Sequence, residues 1–156
     1  MNELFDLTGQ VVLVTGAAQG LGSAIAQACA AQGAALVLAD RDEATLANTA
    51  QALTLRGHDV LAVSTDVADP VALERLAERA WNWRGRLDTL VCNAGIQGPA
   101  GSMLTVSDED WQRVMDTNLR SAQRLCAHLL PRMAGQGGGS VVFMSSLSAL
   151  RGNGAI

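Results

Sequence analysis

Tyrosine and lysine are absent from this chain, aromatic residues make up only 3%, and its 156 residues include three cysteines and three prolines. Each shortage excludes something. Without tyrosine, no phenolic acid is available for proton transfer. Cys29, Cys92 and Cys126 lie far apart, each inside an apolar segment, unlike the paired spacing of a zinc site or a disulfide framework. All three read as small core residues. His58 sits in a polar turn, and His128 on a helical stretch with no second ligand three or four residues away, so no metal is expected. No apolar run approaches the roughly 20 residues of a membrane span. Met1 to Gln10 carries no basic segment leading into an apolar one, which predicts a cytoplasmic protein. A net charge of −4, with no clustered arginine, disfavours a nucleic-acid surface.

What is present is enough for a core. Hydrophobic residues make up 49% and charged residues 17%, and a chain of this length buries about 70% of its unfolded surface. Short Val- and Leu-rich runs alternate with longer helical stretches, the signature of βαβ units. Strands are predicted over Gln10 to Thr15, Ala35 to Ala39, Asp59 to Ser64, Asp88 to Cys92 and Ser140 to Ser145. Their nearly continuous apolar character suits parallel strands covered on both faces. Helices are predicted over Leu21 to Gln32, Glu43 to Arg56, Pro70 to Trp83 and Asp108 to Met133. Asp69 before Pro70 and Ser107 before Asp108 read as N-caps, and Gly33, Gly57 and Gly85 fall where helices stop. Trp81, Trp83 and Trp111 are expected to pack against the sheet. The glycine stretch Gly135 to Gly139 reads as a helix-to-strand loop, so residues 1–156 form one expected domain. The architecture is α/β, a doubly wound Rossmann-type parallel sheet in three αβα layers.

Strand one runs into Thr15, Gly16, Ala17, Ala18, Gln19, Gly20, Leu21 and Gly22, and a helix follows. Glycines there permit a tight turn and let the backbone approach a pyrophosphate, whose charge meets free N–H groups at the helix N-terminus. Any strand-to-helix turn can use glycine, so spacing alone is weak. Asp40 ends strand two, 18 residues after Gly22, where a dinucleotide fold carries the acid that binds the ribose hydroxyls. A solvated strand-end acid is the plain alternative. A 2′-phosphate beside Asp40 would meet about 4 kcal/mol of repulsion per charge pair at about 4 Å and an effective dielectric near 20, favouring NAD over NADP. Arg41 could offset this by neutralising a phosphate, or could stack on adenine.

Together these residues resemble the short-chain dehydrogenases/reductases. TGAAQGLG at Thr15 to Gly22 is similar to the family's TGxxxGxG signature. The resemblance implies that Gly16, Gln19, Gly20, Leu21 and Gly22 meet the cofactor, with Asp40 and Arg41. It implies further that Asp66 and Val67 contact adenine and that Asn93, Ala94 and Gly95 border the cofactor, although Cys92 stands where an asparagine is usual. Asn118 matches a helix asparagine that holds a water in a proton relay. Ser146, the second of the pair Ser145 and Ser146, matches the catalytic serine. Alternation along strand five would point those two serines to opposite faces. Alone, Asn118 would read as a solvent-facing helix residue and Ser146 as a turn residue.

The resemblance implies an NAD(P)-dependent oxidoreductase transferring hydride between nicotinamide and an alcohol or carbonyl substrate, homo-oligomeric (dimer or tetramer) when complete. It breaks at one point. The family's tyrosine follows the serine by about thirteen residues, in a YxxxK element with its lysine, and Ile156 lies ten residues after Ser146. The chain therefore reads as an N-terminal part, truncated after the fifth strand. Losing a positioned acid or base costs about 100-fold to 10,000-fold, so this part alone is expected to be inactive. A non-catalytic dinucleotide-binding or interaction module is the alternative. A methyltransferase with a similar acid after strand two would leave the NAG and serine elements unexplained.

Overall fold

A computed structural model describes residues 5–100 and 102–150; residues 1–4, 101 and 151–156, including Met1 and Ile156, lie outside the described residues. Five strands, β1 (Val11–Thr15), β2 (Ala35–Asp40), β3 (Val60–Ser64), β4 (Thr89–Cys92) and β5 (Ser140–Phe143), form one parallel sheet in the order β3-β2-β1-β4-β5. Val12 of β1 sits beside Leu36 of β2 on one side and Thr89 of β4 on the other. Chain order thus reverses at β1, leaving a crevice beyond the carboxyl ends of β1 and β4.

The period of two along each strand explains why these runs are apolar throughout. Val11 and Leu13 face a cluster built with Leu73 and Leu76 of α3 (Pro70–Arg84). Val12 and Val14 face the other way, onto Ala26 of α1 (Gly20–Ala31) and Leu46 of α2 (Glu43–Thr54). Both faces are covered, so neither set of positions can be polar. Leu13 has no exposed surface, and a leucine buried to that extent contributes about 1.5–3 kcal/mol. Among the described residues no helix is long and apolar enough to cross a membrane.

Local signals set most helix boundaries. Asp42 accepts from Thr45 N (3.1 Å), Asp69 from Val71 N (2.9 Å) and Ser107 from Asp110 N (3.1 Å), capping α2, α3 and α4 (Asp108–Met115). Gly85 closes α3 in the left-handed conformation.

Several sequence expectations need correction. The helix expected from Asp108 to Met133 is opened by a π turn over Asp116–Arg120, and its second half, α5 (Ser121–Gly135), runs two residues further. Strand β5 ends at Phe143, so Ser145 and Ser146 lie beyond it and strand alternation does not set their directions. Gln10, Asp59 and Asp88 stand just outside their strands. Trp81 and Trp83 pack against the core as expected, but Trp111 is 50% exposed. Of the cysteines only Cys92 is buried; Cys29 and Cys126 are half-buried. Along the edge strand β5 and just after it, Val142, Phe143 and Met144 are exposed.

Asp88 does more than begin a strand. Its carboxylate accepts from Val11 N (2.8 Å) and pairs with Arg86 (2.6 Å), joining the starts of β1 and β4. Burial pushes this carboxyl up, but the Arg86 guanidinium and the Val11 N–H outweigh it and hold it below its ordinary value. A carboxyl depressed in the folded state stabilises the fold above the unfolded pKa, and that contribution is lost as pH falls through the folded one. Asp88→Asn should therefore cost about 1–3 kcal/mol at neutral pH. It should also flatten the loss of stability below about pH 4. Urea unfolding of both proteins across pH checks this, and parallel acid limbs would show that another group is responsible.

Candidate functional site

The crevice at the carboxyl ends of β1 and β4 is shaped by what cannot be there. A Cβ at Gly22 would lie 2.0 Å from the Gly16 carbonyl oxygen and 2.6 Å from Asn93 Nδ2. At Gly16, where φ is +67°, it would lie 2.9 Å from Ala94 Cα. The first turn of α1 is pressed against the loop after β4, and no side chain fits between them. Gly20 differs: its φ is +58°, but a Cβ there would meet nothing within 4 Å.

Hydrogen bonds hold this turn from three sides. Thr15 Oγ1 accepts from the backbone N–H groups of Asn93 (3.0 Å) and Ala94 (3.1 Å) and donates to Val91 O (3.4 Å). Asn93 Nδ2 donates to the carbonyls of Thr15 (3.0 Å) and Gly16 (3.2 Å). From β2, Asp40 Oδ2 accepts from Ala18 N (3.0 Å) and Oδ1 from Asp42 N (3.0 Å). From α2, Thr49 Oγ1 donates to Ala18 O (2.8 Å). Unlike α2, α3 and α4, helix α1 has no side-chain cap, since Gln19 makes none. Its first N–H groups are left for whatever enters the crevice.

That crevice holds about 280 Å³ and is lined by Gly16, Gln19, Leu21, Gly22, Asp40, Arg41, Asp66, Val67, Asn93, Ala94 and Gly95. These are the expected cofactor residues apart from Gly20. Thr65, Ile96 and Thr117 line it too and went unnoticed in the sequence, where nothing distinguishes them from ordinary strand-end and helix residues. Val67 is 6% exposed, and Asp66 Oδ1 accepts from Ala68 N (2.9 Å) in a tight turn that leads into α3. Carboxylate and guanidinium stand side by side at the rim, as Asp40 and the exposed Arg41.

The two residues matched to catalytic positions lie elsewhere. Asn118 sits in the π turn, where its Oδ1 accepts from Ile96 N (2.8 Å) and its Nδ2 donates to Ile96 O (2.9 Å). Both ends of the amide are therefore engaged in clamping the loop after β4. Each bond uses one of two positions at its end of the amide, so the exposed Asn118 side chain keeps a second N–H and a second oxygen lone pair that these bonds do not use. Ser146 caps a short 3₁₀ turn over Leu147–Ala149, its Oγ accepting from Ser148 N (3.2 Å). Ser145 instead lines an apolar groove between α5 and β5, along with Asn118, Leu130 and Phe143.

Comparison with known proteins gives a consistent picture. The sequence pattern of the family described as short chain dehydrogenase matches residues 10–156. Oxidoreductase UcpA of Escherichia coli (strain K12) is 39% identical over 142 residues, covering 91% of this chain and 53% of that protein. A short chain dehydrogenase/reductase from Burkholderia phymatum, solved in complex with NAD, superposes with a TM-score of 0.91 at 34% identity, over 95% of this chain and 53% of the other. L-Sorbose reductase from Gluconobacter frateurii, complexed with NADPH and L-sorbose, superposes with a TM-score of 0.89 at 34% identity, over 94% and 56%. The chain spans about half the length of the curated relatives it matches.

The two glycines of α1's first turn should respond differently to a methyl group. Gly22→Ala forces backbone apart and should cost about 3 kcal/mol. Gly20→Ala meets open space and should cost about 1–2 kcal/mol, from left-handed strain alone. Chemical unfolding of the two variants checks the order, and a Gly20 variant less stable than the Gly22 one would contradict the packing described here.

Proposed function

The chain belongs to the short-chain dehydrogenase family, and from that membership we propose that it is the dinucleotide-binding part of a nicotinamide-dependent oxidoreductase acting on an alcohol or carbonyl substrate. The crevice carries this reading. An uncapped helix start, glycines where any side chain would strike backbone, and a carboxylate at the end of β2 make a polar cradle suited to a pyrophosphate and a ribose. When bound, the nicotinamide supplies the hydride chemistry. Gly16 to Gly22 would hold the pyrophosphate, Asp40 the ribose hydroxyls, Arg41, Asp66 and Val67 the adenine, and Asn93 to Gly95 the floor beneath. The same reading implies a cytoplasmic homo-oligomer whose partners are small molecules rather than nucleic acid.

Asp40 favours NAD. Two of its roughly four acceptor positions are used by Ala18 and Asp42, leaving the carboxylate able to accept from two ribose hydroxyls. A 2′-phosphate in that place would meet its charge. Known relatives have been solved with NAD and with NADPH, so residue chemistry carries this preference.

Ser146 is proposed as the serine that binds the reacting oxygen. Its Oγ accepts from Ser148 N, which leaves the hydroxyl proton free to donate. Such a bond strengthens as negative charge develops on the substrate oxygen. Neither Asn118 nor Ser146 supplies the proton-transfer group that a tyrosine would, and this sequence has no tyrosine: an amide exchanges no useful proton near neutral pH, and serine is too weak an acid unassisted.

Calorimetric titration should find NAD(H) bound about tenfold or more tighter than NADP(H), a difference of about 1.4 kcal/mol or more. Asp40→Ser should narrow the gap, and tighter binding of NADPH by the unaltered protein would reverse the assignment to Asp40. In a protein that also carries the tyrosine-bearing segment, Ser146→Ala should lower kcat by about 100-fold or more with NAD affinity unchanged, and Ser145→Ala should do much less. Residues 1–156 alone should show no turnover. A larger loss from Ser145→Ala, or turnover by residues 1–156, would overturn these roles.

A further inference from the structure

A threonine inside a helix has a local default, in which its hydroxyl bonds back to a carbonyl of the preceding turn. Helix α2 shows that default at Thr54, whose Oγ1 donates to Ala50 O (2.9 Å). Thr49, on the same helix, departs from it. Its Oγ1 donates to Ala18 O (2.8 Å), 31 positions away in the glycine turn. The half-buried Thr49 side chain does not line the crevice; it lines a separate groove between α1 and α2, with Ser23, Gln27 and Arg56. Asp40 Oδ2 accepts from Ala18 N (3.0 Å), so Ala18 is held at its N–H from β2 and at its carbonyl from α2. That carbonyl belongs to the peptide unit that also carries the Gln19 N–H. The unit is trans and planar, with C=O and N–H on opposite sides, so a carbonyl fixed toward α2 aims the Gln19 N–H away from α2. Gln19 lines the crevice and is the N-cap of α1, where the first N–H groups have no carbonyl of the helix to bond.

On the reading of the crevice as a dinucleotide cradle, on which this inference rests, we propose that Thr49 is a positioning residue of that site. Its hydroxyl holds the Ala18–Gln19 peptide from α2 so that the Gln19 N–H is presented to the pyrophosphate. Main-chain N–H groups bind an anion best when they converge before it arrives, since ordering them on binding costs affinity. The turn has freedom to lose, because Gly16 and Gly20 stand on either side of Ala18 with positive φ. The bonds from Asp40 and Thr49 remove that freedom. Their consequences differ. Asp40 brings a charge to the expected ribose position as well as a brace to the turn, so substituting it mixes the two effects. Thr49 is neutral, lies outside the crevice and supplies the brace alone. Losing its hydroxyl should therefore weaken NAD(H) and NADP(H) alike, because both carry the same pyrophosphate, and leave the preference assigned to Asp40 in place.

The test is calorimetric titration of the full chain and its variants with NAD(H) and with NADP(H), circular dichroism showing that each variant is folded. Thr49→Val keeps the shape of the side chain and removes its donor. It should weaken both dinucleotides by about tenfold, equivalent to about 1.4 kcal/mol and in the range of one hydrogen bond. Thr49→Ser keeps the hydroxyl and should restore most of the lost affinity. Thr54→Val removes a hydroxyl–carbonyl bond of the same kind from the same helix and should leave both affinities unchanged. Should Thr49→Val fail to fold, Thr49→Ala, which removes the hydroxyl without setting a methyl group in its place, carries the same expectation. Unchanged affinity in the folded variant lacking the hydroxyl, no recovery in Thr49→Ser, a loss confined to one dinucleotide, or an equal loss in Thr54→Val would each overturn the role of Thr49 and leave the dinucleotide reading standing. Binding of neither dinucleotide by the unaltered protein would remove that reading, and the role of Thr49 with it.

Discussion

Helix α1 can begin where it does only because Gly22 carries no side chain. Its Cα lies so close to the Gly16 carbonyl that a methyl group would sit inside the oxygen's contact radius, and the Asn93 amide closes the same space from the other side. Much of the crevice follows from that approach. It brings the start of α1 against the loop after β4, lets Asn93 reach two carbonyls of the glycine turn, and gathers Thr15, Asn93 and Ala94 around one hydroxyl. A network with this many satisfied partners is stiff. The crevice is therefore held ready before any ligand arrives, which lowers the ordering cost of binding.

The sheet serves that constraint from beneath. Parallel strands buried on both faces give β1 and β4 fixed positions, and the Asp88 carboxylate bonds to β1 at the end opposite the crevice. Asp40 does two things at once: it ends β2 and holds Ala18, so the residue proposed to choose the nucleotide also braces the turn that would hold the phosphates. Substituting it alters geometry along with charge.

The π turn brings the opposite wall into register. By opening the long helix at Asp116–Arg120 it lets Asn118 grip both backbone polar groups of Ile96, while Thr117 lines the crevice from the same turn. Insertions of this kind disturb the regular helical ladder and gather at functional sites. The cost is tolerable because the amide replaces bonds that the loop would otherwise lack.

The elements and their order were legible in the sequence, because short apolar runs, N-cap residues and helix-stopping glycines act within a few residues of themselves. Asp69 with Pro70, Ser107 and Gly85 sit at the boundaries they announce. The run from Thr15 to Gly22 was legible for a similar reason, since a strand, a glycine turn and a helix are contiguous. What acts between distant segments was not. Nothing local marks Thr65, Ile96 or Thr117 as lining a crevice, opens the helix at Asp116, or stops β5 at Phe143 before the serines. Each of these depends on which segment lies opposite, and that is decided only when the strands take their places in the sheet and the helices close over it.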